Sequence, residues 1–133
     1  MFDLAVWKFV AIATLALALA WVGRALLVSL SLQDIAPGSA WVWLLDADVV
    51  ELPAPSGARV LGYRSEPADG NRRALTAVRY WVGDASCDCE GLRQHLLARG
   101  YRRVQADEFL RGEETVEIRH NPPHVDVTKY AAP

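Results

Sequence analysis

The chain has 133 residues, with 14 basic and 16 acidic side chains and a formal net charge of −2, which leaves room for one small domain beside a tether and not for two. Charges of both signs are interspersed, so no broad basic face is expected to neutralise phosphates, and nucleic acid is excluded as an expected partner. Much of the 52% hydrophobic content falls in the first third of the chain, while the remainder is rich in Arg, Asp and Glu and reads as soluble.

Leu4 to Leu32 contains two charges, Lys8 and Arg24. A helix crossing a hydrocarbon core of roughly 30 Å needs about 20 mostly apolar residues, and Leu4 to Gly23 supplies them. Trp7 and Trp21 lie near the ends of that run, where indole rings favour the lipid boundary, and Lys8 and Arg24 are placed to snorkel. A cleaved signal peptide is the rival reading, with Ala18-Leu19-Ala20 as small residues at a cleavage site. Against it, Asp3 spoils the basic flank and the chain stays apolar to Leu32. Ala25 to Leu32 either extends the span or lies along the interface as a short helix. Lys8 and the terminal amine are nearly matched by Arg24, so charge alone does not set the orientation. The N-terminus is expected inside and the domain outside because the short N-terminal flank then translocates no folded mass, giving a single-pass cell-membrane protein with an extracytoplasmic domain, with the opposite topology as the alternative.

Ile35 to Ser39, with Pro37 and Gly38, breaks the helix. Trp41 to Leu45 forms a second apolar patch too short to span, and Trp41 and Trp43 are its candidate contacts with a partner or with headgroups. Pro53 and Pro55 stiffen the connector that follows. Residues 1–34 are therefore the expected anchor and membrane exit, 35–57 a Trp-rich and Pro-rich connector, and 58–133 a small α+β domain.

Ala58 to Ser65 and Ala74 to Val82 have strand composition, and Asp69-Gly70-Asn71 between them predicts a hairpin turn. A helix is expected from about Asp88 to Arg99, capped by Ser86 or Asp88, with Leu92, Leu96 and Leu97 buried and Gly100 as its stop. Three more strands are expected, over Val104 to Leu110, Thr115 to His120 and His124 to Tyr130. The predicted order is ββαβββ, one helix across an antiparallel sheet.

Cys87-Asp88-Cys89 at the helix start is the most suggestive local feature. A helix N-terminus favours thiolate, so the pair is a candidate for thiol reactivity, for a soft metal, or for a disulfide within or between chains. The one-residue spacing is short for structural zinc and for redox motifs alike. His120 and His124 bracket Asn-Pro-Pro at a spacing found in zinc modules and would complete a Cys2His2 set, although nothing in the sequence brings that turn to the helix start. His95 reads as a partly exposed helix position. Asp107-Glu108, Glu113-Glu114, Arg72-Arg73 and Arg102-Arg103 read as solvated charges.

No nucleophile with a base and orienter, no phosphate-cradling glycine pattern and no metalloprotease signature is present, so no enzyme and no cofactor are expected. The leading expectation is a membrane-anchored interaction module, an accessory or assembly subunit whose partners are the bilayer and another membrane or envelope protein. Tyr80 and Trp81 are further candidate contacts. A domain this small also leaves homo-oligomerisation open. The competing expectation is a membrane-tethered metal-binding or thiol-redox protein using Cys87 and Cys89, with His120 and His124 as further ligands.

Overall fold

The structure is a computed structural model that describes residues 3–28, 32–83 and 87–133. The chain divides into two units, Met1–Leu30 and Ser31–Pro133.

The first unit is one helix, α1, Leu4–Val28. Asp3 starts it, its Oδ1 accepting a hydrogen bond from the Ala5 amide at 3.1 Å, which satisfies one of the free first-turn donors. Thr14 returns its hydroxyl to the Val10 carbonyl at 2.8 Å, so the polar atom inside the apolar run is matched within the helix. Leu4–Leu26 is long and apolar enough to cross a membrane. The expected continuation to Leu32 falls partly outside the described residues, and Leu32 itself opens a strand.

The second unit is α+β, built on a seven-stranded antiparallel sheet in the order β1-β2-β3-β7-β6-β5-β4. The strands are β1 Leu32–Ile35, β2 Arg59–Glu66, β3 Leu75–Trp81, β4 Arg102–Gln105, β5 Glu108–Arg111, β6 Glu114–Asn121 and β7 His124–Tyr130. Between β1 and β2 the chain makes a 3-10 turn, Ala40–Leu44, and a short helix α2, Ala47–Val50; α3, Glu90–Ala98, lies between β3 and β4. Two strands go beyond the predicted five. β1 arises where a membrane exit is expected: Ile35 is buried, and Gly62 on β2 lets the Ile35 carbonyl approach, since a Cβ there would lie 3.3 Å from that oxygen. The expected strand Val104 to Leu110 reverses at Ala106-Asp107 instead. Arg103 donates to the Gln105 and Ala106 carbonyls, and the Asp107 carbonyl accepts from the Ile118 amide at 2.9 Å, so local hydrogen bonds hold a turn that carries no glycine.

The β2–β3 hairpin turns at Gly70, whose φ is +57°, with Asp69 and Arg72 exchanging both backbone hydrogen bonds, the pattern of a two-residue loop. Helix α3 begins two residues later than expected. Cys89 is its N-cap with no side-chain cap bond, while the Glu90 amide reaches Asp88 Oδ1 at 3.5 Å; Ser86 lies outside the described residues. The C-terminal end matches the stop signal. Gly100 has φ +90°, its amide donates to the Leu97 carbonyl, and the Tyr101 amide donates to the Leu96 carbonyl, a paired-bond helix termination.

Alternation along β3 and β7 sends Val78, Tyr80, Val125 and Val127 to one face of the sheet, where they form the core with Leu92 and Leu96 of α3, Val49 of α2, Phe109, Val116 and Ile118. The other face carries Arg59, Leu61, Arg79 and Trp81, all exposed. Arg79 pairs with Asp126 there at 2.8 Å, and the Arg59 guanidinium lies 5.3 Å from the Trp81 ring centre. A shallow groove of about 270 Å³ runs along that face between Gln33, Asp34, Leu61, Ala77, Arg79 and Asp126.

Candidate functional site

Two side-chain clusters stand out. The first is at the start of α3. Cys87 and Cys89 are joined by a disulfide. Cys89 is buried at the helix N-cap, Cys87 is half-buried, and the two sulfurs and a ring nitrogen of His120 all lie within 4.8 Å of one another. His120 Nε2 is 3.3 Å from Asp107 Oδ2. Arg93, one turn into α3, donates to Asp107 Oδ1 at 2.9 Å and reaches Glu90 at 3.4 Å. The hydrogen bond to Asp107 raises the Arg93 pKa, with Glu90 adding to it, so the guanidinium is a fixed positive charge behind the carboxylate. Asp107 is thus a structural link between helix, turn and imidazole, and not the solvated turn charge that its sequence position suggests.

Of the four residues singled out as possible metal ligands, the fold brings Cys87, Cys89 and His120 together and leaves His124 out. The two histidines are four apart, and on one straight strand they would share a face. The β6–β7 hairpin reverses between them: His120 stands opposite Val125 and Asn121 opposite His124. Residues opposite each other share a face, so His120 lies on the side of the core residue Val125, and His124 lies with Asp126 on the other side.

The second cluster has no counterpart among the sequence expectations. Lys129 on β7 is 7% exposed, and its Nζ lies 2.7 Å from Asp46, 2.8 Å from Asp48 and 2.6 Å from Glu114. Asp48 on α2 also accepts from the Tyr101 hydroxyl at 2.8 Å and from Arg99 at 3.0 Å, and Arg111 bridges it to Glu114. The Arg111 guanidinium lies 4.4 Å from the Tyr101 ring centre. Burial by itself would raise the Asp48 carboxyl, but hydrogen bonds from Lys129, Tyr101 and Arg111 outweigh it and hold the group well below the usual range. Burial likewise works to lower Lys129, and bonds to Asp46, Asp48 and Glu114 raise it above its ordinary value. The Lys129 hydrogen bond lowers Glu114 against a smaller effect of burial. These groups satisfy one another and leave the ammonium where a cation would sit, so the cluster pins the four-residue α2 to the sheet. It is an anchor for the fold and offers no group poised for proton transfer.

Glu114 is therefore not a solvated charge, and neither is Arg73, which donates to the Ala131 carbonyl at 2.6 Å, to the Tyr130 carbonyl and to Thr115. A lysine near the end of an alternating strand, inside a register of apolar neighbours, was the available sign of the second cluster: Lys129 follows Val125 and Val127 at the strand period.

The cluster gives stability a definite pH dependence. Asp48 and Glu114 have folded pKa values below their unfolded ones, so their contribution is present above about pH 4 and is lost as pH falls through the folded values. Lys129 is shifted upward, so its contribution is complete below about pH 10.4 and is lost as pH rises through its folded value. Urea midpoints of the detergent-solubilised chain are expected to be flat at neutral pH and to fall at both extremes. A Lys129→Met protein should keep only the part of the alkaline limb that Tyr63, Tyr80 and Tyr101 carry, since burial pushes their hydroxyls upward as well; a limb of unchanged depth would show that Lys129 contributes nothing to it.

Trp41 and Trp43 lie on the 3-10 turn, 47% and 60% exposed, while the alternate residues Val42 and Leu44 turn toward the core. Tyr80, by contrast, is buried in the core, which removes it from any contact surface; Trp81 is 40% exposed. His95 is half-buried as expected, and its Nε2 atom is enclosed without a hydrogen-bond partner among the described residues. Comparison with known proteins finds no matching family model, no similar curated protein and no similar solved structure.

Proposed function

We propose that this chain is a membrane-anchored interaction module, tethered by α1, whose domain docks on another membrane or envelope protein through Trp41 and Trp43. The observation that carries this reading is the exposure of both indoles from a turn whose intervening side chains are packed inward. Two rings of this size held on an ordered turn offer a large contact area at small entropic cost. The candidate span ends at Leu26 and the turn begins at Ala40 along the chain. The Cys87–Cys89 disulfide favours an extracytoplasmic domain, because such bonds persist in oxidising compartments.

The test is a photo-crosslinking amino acid in place of Trp43 in the full chain in native membranes. A discrete protein adduct, weakened by Trp41→Ala, is the expected result; an adduct of twice the chain mass would make the partner a second copy. Lipid adducts alone would replace protein docking with a headgroup contact. Neither indole is buried, so Trp41→Ala is expected to change stability by less than about 0.5 kcal/mol, and a loss of crosslinking would not report unfolding.

A second reading is favoured by the first cluster: thiol–disulfide exchange at the start of α3. An external thiolate would attack the accessible Cys87 sulfur and expel Cys89 as a thiolate at the helix N-terminus, where the dipole stabilises negative charge.

A further inference from the structure

We propose that reduction of the Cys87–Cys89 disulfide opens a site for one soft d10 cation, Zn2+ or Cu+, bound by both thiolates and His120, with Asp107 positioning the imidazole. This rests on the thiol reading of that end of the domain and extends it from electron transfer to metal binding.

Three potential ligand atoms already lie within 4.8 Å of one another. Bound to one cation at about 2.3 Å for sulfur and 2.0–2.1 Å for nitrogen, the imidazole nitrogen would have to close on the sulfurs by no more than about an ångström, while the two sulfurs, bonded to each other in the oxidised chain, would separate to about 4 Å once reduced. The half-exposed Cys87 and the exposed His120 at a strand end have room to do so. Two thiolates and an imidazole make a soft donor set, which selects Zn2+ or Cu+ over Mg2+ or Ca2+. His120 also has the partner that ligating histidines commonly have. Its Nε2 faces Asp107 at 3.3 Å, and Asp107 is itself held by Arg93 at 2.9 Å. A carboxylate on one ring nitrogen fixes the orientation of the ring and sharpens the basicity of the other. His124, on the far face of the hairpin, takes no part.

The disulfide makes the site conditional. An external dithiol supplies two electrons and two protons: the Cys87–Cys89 bond breaks to two thiols, and the sulfurs of the dithiol join as its own disulfide. Cation binding then displaces the two thiol protons to solvent. In the oxidised chain the same sulfurs are bonded to each other and provide no thiolate, so oxidation closes the site.

The experiment uses the full chain in detergent micelles, reduced by an immobilised dithiol and kept anaerobic. Thiols are counted by maleimide mass shift, and Zn2+ and Cu+ are titrated separately against a chromophoric chelator. The expected result is one equivalent bound by the reduced chain and none by the oxidised chain or by the Cys87→Ser/Cys89→Ser variant. His120→Ala should weaken binding more than tenfold, Asp107→Asn by about tenfold, and His124→Ala should leave it unchanged. Binding of Cu+ alone would identify a three-coordinate monovalent site, and binding of Zn2+ one completed by water; either supports the proposal. If no thiols appear in the folded chain, both the thiol reading and the metal site fall. If thiols appear and neither cation binds, or if His120→Ala binds as the parent does, the metal site falls and the thiol reading stands.

Discussion

Lys129→Met is expected to lower the unfolding free energy of the domain by about 3–5 kcal/mol, the range for removing one partner from a buried ion cluster. The ammonium sits within 2.8 Å of Asp46, Asp48 and Glu114. A methionine of similar length fills the space without neutralising them. Three carboxylates would then converge on an apolar side chain, with Arg99 and Arg111 left to neutralise Asp48 and Glu114. Asp48→Asn is expected to cost less, because Lys129 keeps two carboxylates and the amide can still accept from Tyr101. The double variant should lose less than the sum of the two, since the residues share partners. Urea unfolding of the three proteins in micelles measures this. A Lys129→Met loss under about 1 kcal/mol would mean that the cluster behaves as a solvent-screened surface pair.

Introducing charge at the centre of α1 is expected to have an effect of comparable size on membrane insertion. Leu15 and Leu17 lie midway along Leu4–Leu26, and each arginine at the middle of a span costs about 2.5–3.5 kcal/mol. A Leu15→Arg/Leu17→Arg chain should therefore leave the alkali-resistant membrane fraction in which the parent is expected. A parent protein that is shortened and released would support the signal-peptide reading instead. Retention of the double variant in the membrane would show that the domain holds the protein there without α1.

Several element boundaries of the domain were readable in the sequence because their signals are local. Gly100 ends α3 where the left-handed position is needed, Gly70 turns the first hairpin, and the β7 boundaries coincide with His124 and Tyr130. The misreadings have local causes too. Ala106-Asp107 carries no glycine and lies inside an apolar-leaning run, so its reversal is visible once Arg103 is seen bonding to its carbonyls. β1 is hidden because four residues beside a long apolar helix carry no strand pattern of their own; pairing with β2 across Gly62 supplies it.

By itself the sequence determined the apolar length of α1, the α+β class of the domain, the helix stop and the pairing of cysteines with a helix start. These depend on residues within a few positions of one another. The tertiary structure decided that His120 meets the cysteines while His124 does not, and that Lys129 is buried among three carboxylates. Both follow from strand register: Asp46 and Lys129 are 83 residues apart, and a contact across that separation exists only after the sheet has placed β7 between β3 and β6.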